Sequence, residues 1–149
     1  MRFVLVDRIL TLEPGHRVTA QRTVPPDDDY FADHFPGFPV VPGVLLTETM
    51  GQAAAKCLDA EHRPRGKAML VKILSASFRQ WVRPGDELQL AATIVSNEER
   101  YATAECEARV GERVAAQARL MFAFAPLQTF SPAYRDDVLE AFLAQEAAR

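Results

Sequence analysis

The feature that most constrains the fold is an apolar stretch from Val44 to about Leu58, whose residues are helix formers with small or apolar side chains on nearly every side. A helix that is apolar all round is buried, whereas a surface helix is amphipathic. Glu48 is the only ionisable residue between Val44 and Ala55. The other elements must therefore surround this helix, and they enclose a carboxylate with it.

The segments on both sides of the helix have the character of β-strands. Residues Phe3 to Leu12 are rich in Val, Ile and Leu, and the break at Glu13-Pro14-Gly15 predicts a turn and a second strand through about Val24. Four further strands are predicted after the helix, in "AMLVKILSASF", "VRPGDELQLAATIV", "RYATAECEARV" and "RVAAQARLMFAFA". Short connections favour antiparallel pairing. The sequence thus predicts an α+β fold, with a largely antiparallel sheet wrapped around one central helix.

The C-terminal residues predict an added helix. In "SPAYRDDVLEAFLAQEAAR", Ser131 is a candidate N-cap and Pro132 suits the first helical position. Tyr134, Val138 and Phe142 follow at helical spacing. We expect residues 1–125 to form the main domain and residues 126–149 a C-terminal extension.

Composition narrows the class of protein. A chain of 149 residues suits one domain, and its formal net charge of -3 argues against general nucleic-acid binding. Arg63, Arg65 and Lys67 cluster locally, which leaves open either a patch for an acidic partner or a solvated loop.

The N-terminus and the cysteines indicate a soluble cytoplasmic protein. "MRFVLVDRILTL" is interrupted by Asp7 and Arg8, so it is predicted to be neither a signal peptide nor a membrane span. Cys57 and Cys106 lack metal-ligand spacing and lie in apolar or alternating surroundings, so we expect two reduced core thiols.

A long proline-rich loop precedes the central helix. The segment "VPPDDDYFADHFPGFPVVPG" is predicted to be irregular, because proline fixes φ and removes a backbone donor. Long loops inside compact domains are usually functional. This one carries His34 and ends at Gly43, where the helix is expected to start.

His34, Gly43 and Glu48 together suggest acid–base chemistry. Burial disfavours the charged form of a carboxyl, so Glu48 can retain a proton and donate it. His34 is of the residue type that suits a general base, and helix-start N–H groups at Gly43 can hold a developing oxyanion. This set favours proton abstraction beside a carbonyl. A merely hydrogen-bonded Glu48 and a packing or capping His34 remain the structural alternatives.

The segment "HFPGFPVVPGVLLTETMGQAA" resembles the signature of the 3-hydroxyacyl-acyl-carrier-protein dehydratases of the hotdog superfamily, the type with a glutamate on the central helix. The resemblance extends from Phe3 to Phe124. It includes opening strands similar to "FVLVDRILTLEPGHRVTA", a Phe-Arg…Pro-Gly-Asp stretch in "ASFRQWVRPGDELQL", and a last strand in "ERVAAQARLMFAF". It implies a hotdog fold in which two protomers join their sheets and build two active sites at their interface.

The resemblance also implies the roles of individual residues. His34 would remove the C2 proton of a 3-hydroxyacyl thioester, Glu48 would assist departure of the C3 hydroxyl as water, and the Gly43 N–H would polarise the thioester carbonyl. Gln52 lies one helical turn after Glu48, where it either orients the carboxylate or is satisfied by the backbone. Phe35 and Val44 are expected to contact the substrate. No metal and no organic cofactor is implied.

Acyl carrier protein is the partner that the resemblance implies. Arg79 and Arg83, which flank Trp81, are candidates for docking this acidic protein, unless they pair with acidic residues across the sheet. A homodimer is expected, and the resemblance also suggests a trimer of dimers. An extended proline-rich chain covers about 3.1 Å per residue, so unless the loop doubles back it is predicted to carry His34 away from its own helix and toward the Glu48 of a partner.

Two departures from the family leave substrate choice open. Family members usually begin with a further segment containing Pro-His-Arg and Tyr-Pro-Phe, and they do not require the tail beyond Ala125. Fatty-acid, polyketide and pigment-lipid synthesis are all compatible pathways. The alternative functions are a hotdog thioesterase and a non-catalytic acyl-binding partner of a synthase, although the pairing of His34 with Glu48 favours dehydration over both.

Overall fold

A computed structural model describes residues 1–61 and 65–149. Six strands form one sheet in the order β1-β2-β4-β5-β6-β3, and every neighbouring pair is antiparallel. The predicted α+β architecture around a central helix is confirmed. The elements in chain order are β1 (Arg8–Glu13), β2 (Arg17–Thr23), α1 (Gly43–Asp59), β3 (Lys67–Phe78), β4 (Glu87–Asn97), β5 (Tyr101–Val110), β6 (Arg113–Ala125) and α2 (Asp137–Ala147), with short 3-10 turns at Asp29–Ala32 and Leu127–Thr129.

The sheet wraps closely around α1 because much of its inner face is small. Side chains alternate across a strand, and the inward positions of β5 and β6 are largely alanine. Larger residues, among them Leu88, Leu120 and Phe122, fill the remaining space. On α1, Met50, Ala54 and Cys57 are fully buried against this face.

The two ends of the chain differ from the sequence-based prediction. Residues 1–7 do not form a strand; they cross α1, and the Leu5 N–H donates to the side chain of Gln52 instead of to a ladder. Ser131 is not the N-cap of the last helix, because its Oγ accepts from the N–H of Ala133 in a local turn. The N-cap is Asp136, whose carboxylate accepts from the N–H of Leu139 and also binds Lys56.

The two cysteines are free and buried, as expected of core thiols. Burial raises the pKa of Cys57 to about 11 and that of Cys106 to about 12, so both remain protonated at neutral pH. In the described part of the chain, no helix combines the length and the apolar character needed to cross a membrane.

The basic cluster offers no open patch at its two described members. Arg65 binds the carboxylate of Glu61 at 2.6 Å and lies over the ring of Phe124, and Lys67 binds Asp59 at 2.6 Å. Arg63, the third member, lies outside the described residues.

Strand β3 forms one edge of the sheet and is largely exposed. Its exposed side chains include large apolar ones, namely Met69, Val71, Ile73, Leu74 and Phe78. A long apolar edge strand presents unpaired backbone groups to another chain, and natural proteins usually cover or pair such an edge.

Candidate active site

One stripe of α1 is left uncovered by the sheet of its own chain. Val44, Glu48 and Gln52 recur every four residues and therefore share a face of the helix. Val44 is 75% exposed, and Glu48 and Gln52 are half-buried, although most of the helix after Leu45 is buried. The candidate acid thus lies on the open face of an otherwise enclosed helix.

Gln52 joins Glu48 to the N-terminal segment. Its Nε2 donates to Glu48 Oε1 at 3.2 Å and to the carbonyl of Phe3 at 3.2 Å, and its Oε1 accepts from the N–H of Leu5 at 2.8 Å. Because the N–H of Leu5 can only donate, the orientation of the amide is fixed. The sequence left two roles open for the Gln52 side chain, hydrogen bonding to the backbone and orienting the Glu48 carboxylate. The structure shows hydrogen bonds of both kinds.

Glu48 lines a cavity of about 410 Å³. Drug-sized ligands commonly occupy pockets of about 300–1,000 Å³. One wall is the face of α1 that carries Glu48, Gly51, Gln52 and Ala55. The N-terminal segment, the inner part of the sheet and the C-terminal tail supply the other walls, including Phe3, Met69, Leu70, Phe122, Tyr134 and Val138.

His34 does not line this cavity of its own protomer, although both the residue and the cavity belong to the described part of the chain. The loop that carries it is not extended as predicted, because it doubles back on itself. The N–H of Val40 donates to the carbonyl of His34 at 3.0 Å, and Phe35 and Phe38 exchange two backbone hydrogen bonds of 3.0 and 2.9 Å. His34 therefore lies beside Val40, and the extended loop from which a partner-facing His34 was predicted is not present.

The ring of His34 has a defined orientation. Its Nδ1 lies 3.1 Å from the carbonyl oxygen of Val40, which can only accept a hydrogen bond. Nδ1 therefore carries the proton, and the lone pair of the neutral ring is on Nε2. The ring stacks on exposed Phe35 with 4.0 Å between centroids. This arrangement leaves the lone pair of Nε2 available to a ligand.

The start of α1 is an open donor site. The N–H groups of Leu45 and Leu46 bond to the carbonyl of Pro42, whereas helix geometry leaves those of Gly43 and Val44 without an intrahelical acceptor. They lie at the positive end of the helix dipole. Phe78 approaches so closely that a Cβ at position 43 would lie 3.0 Å from its Cζ, so glycine fits here where a larger residue would displace the ring.

Arg79, Trp81 and Arg83 are exposed, and Trp81 and Arg83 lie beside the His34 loop. The ring of Phe38 packs edge-on against Trp81 at 5.6 Å, and the guanidinium of Arg83 lies 5.0 Å from the same ring. Neither arginine forms an ion pair within the described residues, so the alternative of pairing across the sheet is not what the structure shows. Two positive charges therefore face solvent, and the charge of Arg83 lies beside the loop that carries His34.

One charged residue of the cavity was not anticipated from the sequence. Lys56 is buried on α1, and its ammonium binds the carboxylate of Asp136 at 2.9 and 3.1 Å. The signal for Lys56 was present, because the spacing of four that joins Glu48 to Gln52 continues to position 56. The partner could not be found in this way, since Asp136 is 80 residues away in sequence.

Comparisons with known proteins find a family model and relatives that cover most of this chain. Residues 1–119 match the model of the FabA-like domain. The chain is 40% identical to the 3-hydroxyacyl-[acyl-carrier-protein] dehydratase FabZ of Levilactobacillus brevis over 120 residues, which are 80% of this chain and 81% of that protein. It is 39% identical to the FabZ of Symbiobacterium thermophilum over 132 residues, which are 88% of this chain and 93% of the relative.

Solved structures share the fold at low identity. A point mutant of the fluoroacetyl-CoA-specific thioesterase FlK superposes with a TM-score of 0.67 and 17% identity, covering 92% of this chain and 98% of that one. The Escherichia coli PaaI protein gives a TM-score of 0.64 and 16% identity, with 80% and 79% covered. At such identities the likeness concerns the fold alone.

Proposed function

This chain belongs to the family of FabA-like domains, and on that premise we propose that it is a 3-hydroxyacyl-[acyl-carrier-protein] dehydratase that forms the trans-2-enoyl thioester. The observation that carries the proposal is the open face of α1. There a carboxyl held by Gln52 lies beside a cavity of about 410 Å³ in a chain 40% identical to a FabZ dehydratase. The name of that relative supplies the substrate class, and the side chains supply the chemistry.

In the proposed reaction, His34 acts as base and Glu48 as acid. Nε2 of His34 takes the proton from C2, and the C2 electron pair forms the C2–C3 double bond. The C3–O bond breaks, and the hydroxyl leaves as water with a proton from Glu48. His34 then holds one proton more and Glu48 one fewer, so transfer of a proton between them through solvent resets the site. A positioned acid or base of this kind typically contributes about 100- to 10,000-fold to the rate.

The backbone at the start of α1 would bind the thioester carbonyl. Negative charge develops on that oxygen as the C2 proton leaves, and preorganised N–H donors at Gly43 stabilise it more than they stabilise the ground state. The adjacent side chain of Val44 and the exposed ring of Phe35 are the apolar surfaces that would contact the substrate at this end. Gln52 is a positioning residue, because it touches Glu48 and not the reacting atoms.

The complete site requires two protomers in this proposal. The apolar edge of β3 and the exposed Val44 both lie near the start of α1, since Phe78 at the end of β3 packs on Gly43. Pairing two β3 edges would cover these side chains and bring the His34 loop of one chain toward the open Glu48 face of the other. We infer a homodimer built in this way, and the resemblance to the family also suggests a trimer of such dimers. Buried reduced thiols support a cytoplasmic location.

Arg79 and Arg83 are proposed to dock the acidic carrier protein. Unpaired exposed cations raise the association rate of an acidic partner, and the effect weakens with salt. We expect Arg79→Glu to lower kcat/KM for carrier-bound substrate at low salt while sparing the N-acetylcysteamine thioester. Arg100→Glu reverses another exposed arginine far from the loop and is the matched control. Equal effects of Arg79→Glu on the two substrates would remove the docking role.

The proposed function is tested by turnover in both directions. The purified protein should hydrate a crotonyl thioester and dehydrate the 3-hydroxybutanoyl thioester, with the thioester bond intact in every product. Mass spectrometry separates the outcomes, because a free acid and a thiol identify a thioesterase. Absence of any turnover with carrier-bound and free thioesters would leave a binding protein.

A further inference from the structure

The C-terminal tail forms one wall of the cavity that contains Glu48. The match to the FabA-like domain ends at residue 119, yet Tyr134, Asp136 and Val138 form part of the wall of this cavity. The face of α1 that lines it runs from Glu48 through Gly51 to Ala55 and Lys56, so the cavity extends from the candidate acid toward the C-terminal end of the helix. The tail lies at the end of the cavity that is beside Lys56.

The tail is fixed to the helix by a buried ion pair. Lys56 Nζ lies 2.9 Å from Asp136 Oδ2, and the two side chains are only 9% and 15% exposed. Asp136 also caps α2 by accepting from the N–H of Leu139, whose side chain is buried in the core. One carboxylate therefore sets both the start of α2 and its position on α1.

Tyr134 and Asp136 separate two cavities. A second cavity of about 460 Å³ lies beyond them, lined by Leu58, Gly66 and Leu127 among others. Tyr134, Asp136 and Lys67 line both cavities, which makes these three side chains the partition between them. Lys67 is itself held by Asp59 at 2.6 Å, whereas Tyr134 makes no hydrogen bond through its hydroxyl within the described residues. Of these three side chains, Tyr134 is therefore the one that can be removed to join the two cavities without breaking an ion pair.

The partition lies at a measurable distance from the reacting atoms. Lys56 follows Glu48 by eight residues, which is about 12 Å along the helix axis at 1.5 Å per residue. An extended chain advances about 1.2 Å per bond, since a residue with three backbone bonds spans up to about 3.6 Å. A substrate whose C3 lies at Glu48 thus reaches the partition with about ten further carbons.

We propose that the tail, through Tyr134, is a specificity determinant that limits the length of the acyl chain. The inference rests on the proposed dehydratase function and names the substrate class of the same site: 3-hydroxyacyl thioesters of medium length are accepted, and long-chain ones meet the partition. Removal of the Tyr134 ring opens the second cavity, so the terminal methyl groups of a long chain gain space that they lack in the wild-type protein.

The test measures kcat/KM for dehydration of 3-hydroxydecanoyl and 3-hydroxyhexadecanoyl thioesters of N-acetylcysteamine. Each methylene that a pocket excludes typically costs about tenfold or more. We expect Tyr134→Ala to raise the ratio of the long to the medium substrate by about tenfold or more. Tyr134→Leu removes less of the side chain and should raise the ratio less. If the alanine variant does not fold, the leucine variant is used for the test instead.

Tyr101→Ala is the matched control, because Tyr101 is an exposed tyrosine on β5 that lines neither cavity. Its ratio should equal that of the wild type. If folded Tyr134→Ala and Tyr134→Leu keep the wild-type ratio of kcat/KM for the long and the medium substrate, the length limit is wrong. The proposed dehydratase function is not affected by that result. A wild-type protein that dehydrates neither substrate overturns the proposed function itself, and the length limit with it.

Discussion

At the scale of single residues, one hydrogen bond decides which nitrogen of His34 is available for chemistry. The carbonyl of Val40 accepts from Nδ1, so Nε2 keeps its lone pair. The same backbone oxygen orients the ring, and Val40 itself is buried. The loop therefore holds an imidazole of fixed tautomer and fixed direction, which is what the proposed role of His34 as base requires.

His34→Ala is expected to lower kcat for dehydration by about 100- to 10,000-fold, because a positioned general base contributes that much. The fold should persist, since His34 is a half-buried loop residue outside every helix and strand. Turnover of the 3-hydroxybutanoyl thioester and the melting temperature check the two statements. His16→Ala removes an exposed histidine in the β1–β2 turn and should leave both quantities unchanged. Near-normal turnover in folded His34→Ala would show that another group is the base.

At the scale of elements, the position of α2 depends on the pair formed by Lys56 and Asp136. Asn is as good an N-cap as Asp, so Asp136→Asn keeps the cap and removes the charge. Loss of one partner of a buried pair leaves the other charge uncompensated and costs about 3–5 kcal/mol, so we expect the free energy of unfolding to fall by about 3 kcal/mol. Urea denaturation measures it.

Two further variants separate the ion pair from other effects. Adding Lys56→Met to Asp136→Asn removes the second charge and should recover much of the loss, because an apolar replacement of a buried pair is often neutral. Glu105→Gln removes one partner of the exposed Arg119–Glu105 pair and should change the free energy by no more than about 1 kcal/mol. If Asp136→Asn is as mild as Glu105→Gln, the pair does not hold the tail.

Local signals predicted the central elements well. The helix expected at Val44 to about Leu58 spans Gly43–Asp59, because its apolar character is a property of consecutive residues. The last strand was predicted at its observed bounds, Arg113–Ala125. The stripe of Glu48 and Gln52 was likewise visible, since positions four apart share a helix face wherever the helix lies.

The failures all involve contacts between residues distant in sequence or the path of the backbone. The first residues were predicted as a strand because nothing local reveals that the Leu5 N–H bonds to Gln52, 47 residues away. Ser131 has the right residue type for an N-cap, yet Asp136 takes that role, and the same carboxylate binds Lys56. The proline-rich loop was expected to be extended, but its backbone closes on itself between His34 and Val40.

At the scale of the whole molecule, the exposed edge of β3 predicts self-association. Val71→Lys places a charge where two apolar edges would meet, so the homodimer should dissociate and dehydration should fall with it. Light scattering after size-exclusion chromatography measures the mass. Val95→Lys makes the same change at an exposed position of β4 and should leave the mass unchanged. A Val71→Lys protein that keeps the wild-type mass would place the interface elsewhere.

The proposal that two protomers share the site makes a sharper prediction, because His34 does not line the cavity that contains Glu48 of its own protomer. In a mixed dimer of one His34→Ala chain and one Glu48→Gln chain, one site inherits both defects. The other takes His34 from the second chain and Glu48 from the first, and is whole. The heterodimer, purified through two different tags, should therefore have about half the wild-type activity per dimer if the sites are independent.

The two homodimers, each tagged and purified in the same way, should stay inactive, which excludes activity from contaminating wild-type enzyme. A heterodimer carrying His34→Ala and Glu48→Gln on the same chain beside a wild-type partner is the matched control. In that pairing each site keeps one of the two groups and loses the other, so both sites are defective although one chain is intact. If each site were built within one chain, the result would be reversed. The wild-type chain of the control heterodimer would then retain a complete site, whereas the heterodimer of one His34→Ala chain and one Glu48→Gln chain would have no complete site. The pair of heterodimers thus decides which chains supply the base and the acid, whatever the absolute activity of either.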